Sequence, residues 1–395
     1  MLPPMRLLLL GVLGVVFTVG CVHAPSAPPP STTPALEPAD VARLLPPTVK
    51  DRAGWADDIV VAILMTGKVP TAERACAVIA VIGQESGFKA DPPVANLPKI
   101  VREGLDEKLA PLGPLAGPAR DAILEGHAPG DTRTFGERIA ALKTERDLDR
   151  FFRDVAAAYR GEMPGSFAVA QALSFLLGKG SLEDLNPVTT AGSMQVKVSF
   201  ARAIGEKDGL GDDDVRELLY TRGGGVRFGT ARLIGYPAGY DDVISRFADY
   251  NAGVYAARNA ALQSQLADLT GLPLVPDGDL LAWDDDGEPK DVETKSLQAL
   301  LRFGEAHGLS ARTVRRDAQK EKSIDLEQTD TWKAVKQAWA EKHGRAAPYA
   351  RLPEVALSSP KLSRPRTTAW FAESVKRRFV ECRARDKAPT STPSS

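Results

Sequence analysis

The sequence predicts an all-α body behind an N-terminal leader. Two observations carry this. Apolar residues recur at helical spacing in one segment after another, and strand-like alternation is scarce. Clusters such as Pro111-Leu112-Gly113-Pro114 and Ala128-Pro129-Gly130-Asp131 separate the amphipathic runs as turns would. Helices are expected near 51–64 and 71–85, then across 100–109, 119–124, 135–142, 148–159 and 167–177. Further helices are expected near 196–204, 213–220, 226–234, 241–249, 254–270, 292–307, 330–341 and 368–385.

Residues 1–20 have the layout of a signal peptide. Arg6 is followed by an apolar stretch from Leu7 to Gly20 that is too short to span a bilayer. It closes Thr18-Val19-Gly20-Cys21, which resembles the lipobox of bacterial lipoproteins. That resemblance implies acylation of Cys21 and a lipid anchor in the membrane. An ordinary secretory peptide with an incidental cysteine is the alternative. Val22 stands where an Asp would resemble an inner-membrane retention signal, so the periplasmic face of the outer membrane is the expected location. Residues 21–47 are rich in Pro, Ser and Thr and read as a disordered tether.

The rest is long enough for two or so domains or one elaborated domain. The reading is a helical domain over 48–270 with an insertion at about 96–185, a helical extension over 271–387, and a disordered tail at 388–395. A net charge of −1 argues against a nucleic-acid binder. The 4 histidines, at 23, 127, 307 and 343, have no metal-site spacing, and no cofactor is implied. The acidic run Asp284-Asp285-Asp286 reads as a solvated loop, because the spaced ligands of a calcium loop are missing. Cys76 and Cys382 can pair in an oxidising compartment, or Cys76 is a buried free thiol. Lys376, Arg377, Arg378, Arg383 and Arg385 give the last helix a basic face, read as solvated.

The chemistry centres on the helix expected over 71–85. Thr71 is its N-cap and Glu73 stands in its first turn. The run Val78-Ile79-Ala80-Val81-Ile82 then ends abruptly at Glu85, before Gly87. A carboxylate against apolar walls resists ionisation, so it can hold a proton near neutral pH and act as a general acid.

Three stretches belong together: Gln84-Glu85-Ser86-Gly87-Phe88, then Asn186-Pro187-Val188-Thr189-Thr190-Ala191-Gly192-Ser193-Met194-Gln195-Val196, then Asp249-Tyr250-Asn251-Ala252-Gly253. In this order they resemble the lysozyme-like lytic transglycosylases, which cut peptidoglycan. That family shows Glu-Ser at a helix end, Gly-Leu-Met-Gln, and Ala-Tyr-Asn-Ala-Gly. Here Ser193 replaces the Leu, Asp249 replaces the first Ala, and a long insertion separates the first two motifs. The chain also looks like a group of uncharacterised bacterial lipoproteins that carry the same three motifs. The resemblance covers roughly 48–95 and 186–270.

It implies a goose-type helical domain in which Glu85 is the single acid/base. Glu85 would protonate the glycosidic oxygen after N-acetylmuramic acid (MurNAc), toward N-acetylglucosamine (GlcNAc). It would then take the proton of the sugar's own C6 hydroxyl and leave a 1,6-anhydro end. Ser86, Gly192, Met194, Gln195, Tyr250 and Asn251 are the candidate substrate-binding residues. Gln195 suits an acetamido group and Tyr250 a sugar face. Gly192 would allow close approach of backbone to sugar. Two alternatives stand beside this reading: a peptidoglycan-binding or envelope-assembly lipoprotein without catalysis, and a hydrolytic muramidase. For the muramidase, Asp91 and Asp249 are the acids to change, with Asp249 expected at a water-exposed helix end.

Overall fold

The computed structural model describes residues 34–128, 130–160, 186–284, 288–357 and 366–387. Cys21, the signal segment, the helix expected at 167–177 and the tail lie outside them, as does most of the acidic run at 284–286. The described residues are predominantly helical, with two short two-stranded ladders.

The tether does not extend to residue 47. Pro38–Leu44 forms a helix, α1, whose Val41 and Leu44, with the following Leu45, are buried in the main core. A capping box between Glu37 and Asp40 starts it, and Pro38 suits the first turn. A segment with three buried apolar side chains is part of the body, not a spacer.

Two helices make the frame of that core. In α2, Arg52–Met65, Asp51 caps the start by accepting the Gly54 amide, and Trp55, Ile59 and Ile63 point inward. In α3, Ala72–Glu85, Thr71 accepts the Arg74 amide, and every residue from Ala75 to Ile82 is buried. Such a helix must be covered on all sides. α1 and α2 pack against part of it. The last helix, Thr368–Asp386, supplies much of the rest, with Ala372, Val375 and Cys382 buried beside it.

The insertion begins with α4, Leu97–Leu109, α5, Ala116–Glu125, and α6, Phe135–Ala140. It continues with α7, Glu145–Arg160. After it comes a hairpin: β1, Thr190–Ala191, pairs antiparallel with β2, Val196–Lys197. Next are α8, Val198–Gly205, α9, Asp212–Leu219, α10, Arg222–Ile234, and α11, Val243–Ala252. α10 lies along α2, clamped by Arg222 to Asp51 and Asp58. α7 is tied to α9 through Glu217, which meets Arg146, Arg150 and Arg153.

The extension expected over 271–387 is two things, and the first of them shares a core with the end of the domain expected over 48–270. α12, Ala256–Thr270, α13, Lys295–Ala306, α14, Ala311–Ala318, and α15, Asp330–His343, surround a second core of Leu266, Leu280, Leu300, Phe303 and Val335. The last helix, α16, returns to the first core. A disulfide from Cys76 to Cys382, Cα atoms 5.5 Å apart, fastens it to α3. Its basic face is only partly solvated. Lys376 and Arg377 are exposed, but Arg385 donates to the Leu44 carbonyl at 2.7 Å and Arg378 reaches toward Gln84.

Candidate active site

Glu85 is the last residue of α3, at the open end of the apolar helix. It keeps some surface in contact with solvent, yet protein crowds it on nearly every side. Burial pushes its carboxyl up to about 7, and among the described residues no cation or hydrogen bond compensates. Gln84, one residue back, is held by α16: Ser374 donates to its Oε1 at 2.6 Å. Phe88 meets Trp55 edge-on at 5.5 Å, which closes the apolar wall beneath the helix end.

The second motif is the tip of the β1–β2 hairpin, and the third is the end of α11. Tyr250 joins them. Its hydroxyl donates to the Met194 carbonyl, its ring stacks on Phe247, and the charge of Glu85 acts on it. Desolvation, and then Glu85, hold the Tyr250 phenol well above its ordinary pKa, so it stays a neutral donor. Glu85, Tyr250 and the Met194 backbone are therefore brought together.

The remaining candidates have other work. Met194 is fully buried and lies against Gly229 of α10, where any Cβ would overlap its side chain. Gly192 has φ +80°, and a Cβ there would overlap the Leu219 carbonyl oxygen. It is glycine for packing, not for approach of a sugar. Ser193 lies against Gly225, whose added Cβ would come within 2.7 Å of the Ser193 hydroxyl. Ser193 is itself fully buried at this contact. The Ser86 hydroxyl donates to Ile82 O at 3.2 Å and accepts the Lys89 amide at 3.3 Å, so it caps the helix end. Asn251 is exposed, beside Tyr250.

Gln195 differs most from its expected role. Its amide nitrogen donates to Glu145 at 2.9 Å, and its oxygen accepts from Thr190 at 3.1 Å. The side chain that should meet an acetamido group is already engaged. Its backbone, at φ +51°, is in the left-handed region that a non-glycine residue enters at a cost of about 1–2 kcal/mol. Glu145, the buried first residue of α7, thus reaches from the insertion into the motif hairpin. No sequence motif marks it.

Asp249 is not exposed at a helix end. It is fully buried and accepts from the Tyr236 hydroxyl at 2.7 Å, from Tyr240, and from the Ala257 amide at 2.7 Å. Those bonds tie α11 to α12 and to the loop before α11, and they leave no oxygen for a catalytic water. Replacing Asp249 by Ala strands three buried donors, so a stability loss of at least about 2 kcal/mol is expected in urea denaturation. An unchanged midpoint would contradict the pinning role. Asp91 remains available: burial raises its carboxyl, and one oxygen is enclosed without a hydrogen-bond partner. Among the described residues no cluster of acids, histidines or cysteines is arranged to hold a metal.

Comparison with known proteins adds the family. Residues 48–385 match DUF1615, described as a protein of unknown function. The chain belongs to the DUF1615 family. The match takes in Glu85, the hairpin, Tyr250, Glu145 and both cysteines of the disulfide. Within reach of this family member is the uncharacterized protein YaiW of Escherichia coli (strain K12). It is 35% identical over 380 residues, which cover 94% of this chain and 97% of that protein. No solved structure matches the chain. No helix among the described residues is long and apolar enough to cross a membrane.

Proposed function

We propose that this DUF1615 protein is a cell-envelope lipoprotein with a lysozyme-like domain that cleaves the MurNAc–GlcNAc bond of peptidoglycan. The observation that carries the reading is Glu85: a carboxyl raised to about 7 by burial alone, at an open helix end, with Tyr250 beside it. A general acid needs that protonation state at neutral pH. Among the described residues no second carboxylate acts on Glu85, which favours the substrate-assisted route over a two-carboxylate hydrolysis.

In that route Glu85 gives its proton to the glycosidic oxygen as the C1–O bond breaks. The N-acetyl carbonyl oxygen of the same sugar bonds C1 and forms an oxazolinium. The Glu85 carboxylate then takes the C6 hydroxyl proton while O6 displaces the acetamido oxygen from C1. A 1,6-anhydro end results, and no water is consumed. Acylation of Cys21 would keep the body beside its substrate, at the periplasmic face of the outer membrane.

A second reading is favoured by Gln195. Its amide is engaged by Glu145 and Thr190, as suits a hairpin built to hold shape rather than to bind a sugar. That reading is a peptidoglycan-binding or envelope-assembly lipoprotein without turnover. Co-sedimentation of the full chain with purified sacculi, followed over time, separates the two. Binding that declines as soluble fragments appear supports the enzyme. Stable binding with no fragments supports the binding protein.

A further inference from the structure

A cleft of about 420 Å³ opens at the C-terminal end of α10, walled by Met65, Phe200, Ile204, Phe228 and Tyr236. Arg232 lies in it. Its guanidinium, 5.3 Å from the Phe200 ring centre, makes no ion pair among the described residues. Its one hydrogen bond among the described residues is a long one, 3.5 Å, to the Asp249 backbone carbonyl. The Asp249 carboxylate is spent on Tyr236, Tyr240 and the Ala257 amide. The other cleft arginine, Arg227, is paired with Asp208.

Arg232 is thus a half-buried cation that still meets solvent in the cleft, with one long hydrogen bond to protein among the described residues. Its remaining donors are open to a ligand that enters the cleft. Desolvation accordingly lowers its pKa, with Tyr250, Tyr236 and Asp249 opposing. Charges of both signs lie nearby. Lys197 stands two residues beyond Gln195 on β2, and its field and that of Arg232 both reach Lys322. Asp279 and Glu321 are the acids facing Lys322. The cleft adjoins the candidate active site through Tyr250, whose phenol feels both Glu85 and Arg232.

We propose that Arg232 and this cleft bind a carboxylate of a stem peptide, so that the protein selects glycan strands that still carry peptide. A guanidinium takes a carboxylate by two parallel bonds, and the apolar walls suit small side chains such as alanine methyls. This rests on the reading of Glu85 given above, which makes the glycan strand the substrate. The amphipathic lining, with an anion receptor at one end, fits a peptide carboxyl better than a neutral sugar.

The test uses the full chain in detergent carrying Glu85→Gln, so that strands are bound and not consumed. Its affinity is measured for glycan strands bearing stem peptides and for the same strands after the peptides have been removed enzymatically. One charge-assisted contact gives a preference of about tenfold or more for the peptide-bearing strand. Adding Arg232→Gln should erase that preference, and adding Arg232→Lys should keep part of it, which separates lost charge from lost fold. Equal affinity for both strands in the Glu85→Gln protein, or a preference that survives Arg232→Gln, overturns this inference and leaves the cleavage reading standing. Failure to bind either strand, with no cleavage by the wild type, overturns both.

Discussion

Glu85→Gln is expected to lower sacculus cleavage by about 10²–10⁴-fold and, at the same time, to stabilise the protein above neutral pH. The two effects share one cause. The folded state holds the Glu85 proton up to about 7, whereas the unfolded chain releases it near 4.5. Folding therefore binds a proton between those values, and the wild type loses stability as pH rises from about 4.5 to about 7. Above that the cost is constant, on the order of 3 kcal/mol. Gln never ionises and escapes it. The difference in urea midpoint between variant and wild type should be near zero at pH 4 and should favour the variant at pH 8. Glu321, also raised to about 7, affects both proteins alike and cancels from the difference. Cleavage by the wild type should fall as pH rises through about 7, because the acid form is the one that reacts. A variant less stable than wild type at pH 8 would show that Glu85 is ionised and satisfied in the fold.

The second large effect belongs to the disulfide. Cys76 and Cys382 are 306 positions apart in sequence, so the bond constrains nearly the whole body when the chain unfolds. Losing it through Cys76→Ser with Cys382→Ser should cost about 2–5 kcal/mol. The loss also bears on the site. α16 covers α3 and holds Gln84 through Ser374, next to Glu85. Cleavage should therefore weaken in the double variant even under conditions where the protein stays folded. Equal urea midpoints for the wild type and the double variant would contradict a structural role for the bond.

What the sequence reveals here is mostly local. The Thr71 cap and the apolar run through Ile82 define α3, and they put Glu85 at its end, where the structure has it. The all-α class follows from the same periodicity. A signal for α1 is also local, in Pro38, Glu37 and Asp40, but a Pro/Thr-rich neighbourhood hides it. Contacts between distant segments are not legible. Asp249 reads as an exposed helix end because nothing in the chain shows that Tyr236 and Tyr240 turn back onto it. Gln195 reads as free because its partner Glu145 lies 50 positions upstream in the insertion. Gly192 reads as a site residue, whereas its identity is set by close contact with the ends of α9 and α10. Arg232 carries no motif and stands out only when the cleft around it is seen.

The most direct measurement is mass analysis of what the full chain releases from purified sacculi. The account predicts muropeptides ending in 1,6-anhydro sugar, lighter by one water than reducing ends, from the wild type and none from Glu85→Gln. Reducing ends, equal release by the two proteins, or no release at all would contradict it.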